Sequence, residues 1–176
     1  MQLAEAQDDD AASVLDNLRW LVRALRVTSH SVERDLSITG AQLFVLREVA
    51  AEPGCSIRRL SKRTLTDPSS VSVVVSRLVE RGLIARRRNA ADARRTELSL
   101  TARGERILSR AGEPFQARLV HALRALPPAR LKRLATDLAT VVHNVGADAG
   151  APPMFFVDEP SRGSDDEPSR RTRRGH

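Results

Sequence analysis

Apolar residues recur three and four positions apart over the first quarter of the chain. Val14, Leu15, Leu18, Leu21, Val22 and Leu25 follow the i, i+3, i+4, i+7 spacing of an amphipathic helix. A helix is therefore expected from Ala11 to about Leu36, preceded by a flexible N-terminus over residues 1–10. Thr39-Gly-Ala-Gln42 has the form of a capping box, in which the hydroxyl accepts from the backbone N–H of Gln42 and the Gln42 side chain reaches back. It opens a second helix with Leu43, Leu46, Val49 and Ala50 on one face, stopped by Pro53-Gly54. Ser56 is placed to cap a short third helix carrying Ile57 and Leu60. Asp67-Pro68 marks a fresh start, because Asp suits the N-cap and Pro suits the first helical position, where no N–H is needed. This fourth helix should run to about Arg81, with Gly82 as the residue just past its end.

After Gly82 the helical period is lost. Leu83-Ile84-Ala85-Arg86 and the alternating Thr96-Glu97-Leu98-Ser99-Leu100 predict two antiparallel strands joined by a polar tip over residues 87–95. Thr101 can cap a fifth helix through Ile107, Leu108, Phe115, Leu119 and Leu123, kinked or broken at Gly112 and Pro114. Pro127-Pro128 starts a last helix with Leu131, Leu134, Leu138, Val141 and Val142. From Gly146 the chain turns rich in Gly, Pro, Ser, Asp and Arg, so residues 146–176 are expected to be a disordered tail. Its single apolar patch, Met154-Phe155-Phe156-Val157, reads as a docking peptide or, preferably, as an accident of composition.

Helix, short helix, turn, helix and two-stranded ribbon make a winged helix-turn-helix. The expected fold is mainly α with a small two-stranded β wing (α+β): a winged helix-turn-helix over residues 37–101, with helical regions over 11–36 and 102–145. Composition agrees. The 176 residues hold one Trp, four Phe and no Tyr, so the core must be built from Leu, Val and Ala, which suits helices.

The chain carries a net charge of +7, and Lys62 and Lys132 are its only lysines. Between Ser56 and Arg95 there are eleven basic residues against three acidic ones, a difference of +8. The positive excess thus falls in the proposed reading unit, where arginine forks fit phosphates and narrow minor grooves. In this fold one helix enters the major groove and the wing reaches the backbone or the neighbouring minor groove.

The order and spacing of several short motifs resemble the MarR family of transcriptional regulators over roughly Ala11 to Val145. They are Thr39-x-x-Gln42 followed by Leu46, Leu78-Val79-Glu80-Arg81-Gly82-Leu83-Ile84, Asp92-x-Arg94-Arg95, and Leu98-x-Leu100-Thr101-x-x-Gly104. The resemblance implies a homodimer interlocked through its first, fifth and sixth helices. It implies a pseudo-palindromic double-stranded DNA operator read in successive major grooves, about 34 Å apart. Ser69, Ser70 and Ser72 then fall at the exposed start of the recognition helix, and Ser69 is equally suited to plain helix capping. Val73 departs from the polar or basic residue many relatives carry there; it can touch a thymine methyl or pack inward. Arg77 would bind phosphate or brace the wing. Arg86, Arg87, Arg88 and Arg95 would contact DNA, Arg94 would enter the minor groove from the wing tip, and Asp92 would brace the wing through a salt bridge.

Relatives of this type are commonly repressors released by a small-molecule effector. Trp20, His30, Phe44 and Phe115 are the candidates to line such a pocket, with ordinary core packing as the alternative. A redox switch at Cys55 is a further alternative. Peroxide-sensing relatives, however, pair a cysteine near the first helix with tyrosines, and this chain has no Tyr, so an inert thiol is expected. His30, His121, His143 and His176 lack paired metal-ligand spacing. No Gly-rich phosphate loop, nucleophile elbow or convincing triad occurs, so neither a cofactor nor an enzyme is expected. The acidic N-terminus and the lack of an apolar run near the ~20 residues of a membrane span lead to a cytoplasmic expectation with no membrane partner. A nonspecific architectural DNA-binding protein, or a winged helix used for protein contacts, would share the pattern; the basic wing disfavours the second.

Overall fold

A computed structural model describes residues 2–88, 96–148, 152 and 154–155. Among these residues, seven helices and one ribbon follow in the order α1 (Gln2–Leu36), α2 (Gly40–Ala51), α3 (Ile57–Thr64), α4 (Pro68–Glu80), β1 (Ile84–Arg88), β2 (Thr96–Leu100), α5 (Ala102–Arg110), α6 (Phe115–Arg124) and α7 (Pro128–Asn144). Helix α1 starts nine residues before the expected Ala11, so the expected flexible 1–10 segment is helical from Gln2. Good helix formers fill residues 2–7, and the acidic Glu5 favours the positive end of the helix dipole. Because residues 5–10 are all exposed, they carry no apolar period that would have marked the start.

Local chemistry sets most element boundaries. The Thr39 hydroxyl accepts from the Gln42 backbone N–H at 3.2 Å, and the Gln42 side chain accepts from the Thr39 N–H at 3.1 Å, closing the capping box. Ser56 caps α3 through the Arg59 N–H, and Thr101 caps α5 through the Gly104 N–H. At the end of α4 the Leu83 N–H reaches the Leu78 carbonyl and the Gly82 N–H reaches that of Val79. This is a Schellman closure, which needs the left-handed φ of +66° that Gly82 supplies. Gly112 and Pro114 break the expected fifth helix into α5 and α6 outright.

The core lies in the winged-helix lobe. Helix α2 runs through its middle and is buried from Gly40 to Leu46, while Leu60, Val71, Val74, Val75, Leu78, Leu83, Ile84 and Leu98 close around it. Burying each such aliphatic side chain contributes about 1.5–3 kcal/mol. The ribbon pairs Ile84 with Leu100 and Arg88 with Thr96, and Cys55 adds a bridge to Leu98. Gly104 is required by contact: a Cβ there would lie 2.3 Å from the Leu83 carbonyl oxygen. Thr101 tightens the same junction, its hydroxyl donating to the Gly82 carbonyl at 2.7 Å.

Two features lie outside that core. Helix α7 has no buried residue, and Val14, Leu15, Leu21 and Val22 of α1 and Leu138, Val141 and Val142 of α7 stand exposed. Conversely, the apolar patch expected to be accidental is docked. Met154 is buried in the main core cluster, and the Phe155 carbonyl accepts from Gln116 Nε2 at 2.9 Å. This corrects the disordered-tail expectation at those positions; Phe156, Val157 and the rest of the tail to residue 176 lie outside the described residues.

Candidate nucleic-acid interface

The expected reading unit comprises α3, the turn over Leu65 and Thr66, and α4. Asp67 holds the start of α4: its carboxylate accepts from the Ser69 N–H at 2.8 Å and from the Ser69 hydroxyl at 2.5 Å. The hydroxyl first, then the backbone N–H, holds the Asp67 carboxyl below its ordinary range. Ser69 therefore spends its proton on the cap and presents its oxygen only as an acceptor.

Helix α4 has two faces. Val71, Val74, Val75 and Leu78 point into the core, while Ser69 and Val73 are exposed and Ser70, Ser72, Ser76 and Arg77 are half-buried. Val73 is 47% exposed, which settles its direction: it faces outward, where an apolar contact with a thymine methyl is open to it. Ser76, one turn beyond Ser72, escaped the sequence reading although helical spacing alone places it on that side. Its hydroxyl accepts from Arg86 Nη2 at 3.1 Å, so Arg86 ties β1 to α4. Arg77 is likewise engaged by a partner within the protein.

Arg87 is exposed on β1 opposite Glu97, and the backbone of Arg88 ends the strand. Asp92, Arg94 and Arg95 lie outside the described residues. Among the remaining bases, Arg59 Nε lies 3.0 Å from Glu52, and Arg63 Nε lies 2.6 Å from Glu48. Arg81 donates to the Ser37 carbonyl and to Gln42 Oε1. These three cations brace the lobe, so the excess of +8 overstates the charge on offer to a phosphate backbone. Charge counting could not separate these paired side chains, of which Arg59 is itself exposed, from Arg58, Lys62 and Arg87, or from Arg86, which is exposed but tied to Ser76.

Cys55 is buried beneath this unit. Burial first, then the nearby Glu52 carboxylate, pushes its thiol up, away from the reactive thiolate. No group of three or more His, Cys, Asp or Glu side chains able to hold a metal occurs among the described residues. Nor, among them, is any helix long and apolar enough to cross a membrane.

An apolar cleft of about 340 Å³ opens between α2, the α3–α4 turn and α6. Of the four pocket candidates only Phe44 lines it. Trp20 is 68% exposed and His30 is also exposed, while Phe115 carries the Arg118 guanidinium over its ring at 5.3 Å. The sequence reading missed Leu65, Gln116, Val120 and Met154, which do line the cleft. Leu and Val at helical spacing give no sign of which face meets a cavity.

Comparison with known proteins gives a consistent result. A family model described as "MarR family" matches residues 36–95. The chain is 37% identical over 68 residues to the transcriptional repressor MdtR of Bacillus subtilis (strain 168), covering 39% of this chain and 44% of that protein. It thus spans under half the length of that relative. The match to a putative transcriptional regulatory protein for the hcr operon of Thauera aromatica is broader: 32% identity over 123 residues, 66% of this chain and 74% of that one. In fold, the chain is similar to the crystal structure of MarR family transcription regulator SP03579, with a TM-score of 0.54 and 21% identity over 85% of this chain and all of the other.

Proposed function

Since the chain belongs to the MarR family, we propose that it is a sequence-specific DNA-binding transcriptional regulator, a homodimeric repressor released by a small-molecule effector, and not an enzyme. The observation that carries this reading is the outward face of α4. It presents Ser69, Ser72 and Val73 beside a ribbon whose Arg86 is anchored to Ser76 and whose Arg87 is exposed. Short hydroxyls and a methyl-bearing side chain suit base edges, and the arginines suit phosphates. Ser70, Arg77, Arg88 and Arg95 belong to the same proposed contact surface. Arg94 is the proposed minor-groove residue, and Asp92 is the proposed brace of the wing. The exposed apolar stripes of α1 and α7 support pairing of two chains, residues 11–36 and 102–145 serving as the dimerisation region and 37–101 as the reading domain. A pseudo-palindromic operator follows from the two-fold symmetry of such a dimer. The protein would act in the cytoplasm. The redox alternative at Cys55 is disfavoured by the buried, raised thiol.

The test is titration of the DNA flanking its own gene with purified protein, against scrambled competitor, at two salt concentrations. Tight binding that survives competitor is expected. Weak binding without sequence preference would instead mark an architectural DNA-binding protein. Arg94→Ala is expected to lose most operator affinity while its thermal unfolding stays that of the wild type; an unchanged operator affinity would remove Arg94 from the site.

A further inference from the structure

The C-terminal residues beyond α7 return to the reading unit. Helix α7 ends in a second Schellman closure: the Ala147 N–H reaches the Val142 carbonyl and the Gly146 N–H that of His143, with Gly146 at a φ of +67°. His143 Nδ1 lies 2.7 Å from Asp148 Oδ2, which secures the reversal. The chain then reaches the cleft between α6 and the α3–α4 turn, where Pro152, Met154 and Phe155 form one wall. Met154 is 5% exposed and packs within the main core cluster. Gln116, itself 5% exposed on α6, donates from Nε2 to the Phe155 carbonyl, so the contact is polar as well as apolar.

The opposite wall is the connection that starts α4. Leu65 occupies the left-handed region at φ 54°, ψ 40°, an unfavourable place for a branched side chain, and is 58% exposed even with the cleft wall in place. Thr66 and the α4 N-cap Asp67 line the same space. A strained turn supported on one side by docked chain is a turn whose geometry depends on that docking.

We propose that Pro152, Met154 and Phe155 form an intramolecular strap. They dock between α6 and the α3–α4 turn, close one side of the cleft, and hold the start of α4 in its DNA-binding geometry. The second half of this inference rests on the DNA-binding reading above; the docking itself does not. The occupant is this chain's own segment, because Met154 and Phe155 are the seated residues and the patch containing them is the one apolar stretch in a sequence otherwise rich in Gly, Pro, Ser and charge. An apolar ligand entering the cleft would therefore contact Met154 and Phe155.

The experiment compares the full-length protein with full-length Met154→Asp, using hydrogen exchange, anilinonaphthalene sulfonate fluorescence and operator titration. In the variant, exchange at residues 64–70 and 116–123 and dye fluorescence are expected to rise several-fold. Its operator Kd is expected to rise about threefold or more, as the competent population falls. A free peptide spanning Ala151–Glu159 is expected to displace dye from the variant, and the same peptide carrying aspartate in place of methionine is not. Should the aspartate unfold the protein, Met154→Ser gives the same readings. Identical exchange and dye binding in wild type and variant would overturn the docking. Increased exchange with an unchanged operator Kd would overturn the coupling to α4. Failure of the wild type to bind any operator would sink the DNA-binding reading and, with it, the coupling, while exchange and displacement would still decide the docking.

Discussion

Gly104 is the residue whose absence of a side chain is most plainly required. Its Cα side faces the Leu83 carbonyl so closely that a methyl group would sit 2.3 Å from the oxygen, and backbone, unlike a flexible side chain, yields only by shifting α5 off the ribbon. Gly104→Ala is expected to cost about 1–3 kcal/mol or more by overpacking, read as a lowered denaturation midpoint at constant m-value. An unchanged midpoint would mean that α5 slides freely on β1. Cys55 makes the opposite case, a residue with reactive chemistry silenced by its place. It is buried against Leu98, with its thiol pushed up by desolvation and by Glu52. A thiol reagent is expected to modify it only on unfolding, and hydroperoxide is expected to leave operator binding unaltered; rapid labelling of the native protein would revive the redox reading. Neither property is written in local sequence. The glycine could be marked in a motif but not explained, and the cysteine could be placed at a turn but not buried beside β2.

At the scale of elements, legibility followed the range of the interaction. Thr39, Ser56, Asp67, Thr101 and Gly82 act on backbone groups within five residues, so the starts of α2 to α5 and the end of α4 could be read directly. The start of α1 could not, since residues 5–10 are exposed and leave no apolar pattern. The cleft could not either, because it joins α2, a turn, α6 and residues beyond α7 that are distant in sequence. One cap also carries a pH dependence. Asp67 has a lowered carboxyl pKa in the folded state, so its help to α4 is present above the ordinary value of 3.8 and fades as pH falls through the lower folded value. Asp67→Asn keeps an acceptor but not the charge. The stability gap between wild type and this variant is therefore expected to be full near neutral pH and to close in acid; a gap constant with pH would show that the charge contributes nothing to the cap.

For the whole molecule, two surfaces await partners of opposite character. Among the described residues nothing covers the apolar stripes on α1 and α7, and exposed apolar area of this kind marks an interface. Leu138→Glu on α7 is expected to shift sedimentation from two chains toward one; an unchanged dimer would move the interface elsewhere. The basic ribbon is the other surface, and its contribution can be separated from sequence reading by salt. Each neutralised phosphate adds roughly −0.9 to the slope of log K against log salt concentration. Arg87 is exposed on β1 and occurs twice in a dimer, so Arg87→Ala is expected to reduce the slope by about 2 and to weaken operator and scrambled DNA alike. Arg59→Ala should leave the slope unchanged, because that guanidinium is already paired with Glu52. A slope that fell equally in both variants would mean that the α2–α3 ion pairs open on DNA, and that the full excess of +8 between Ser56 and Arg95 reaches the phosphates after all.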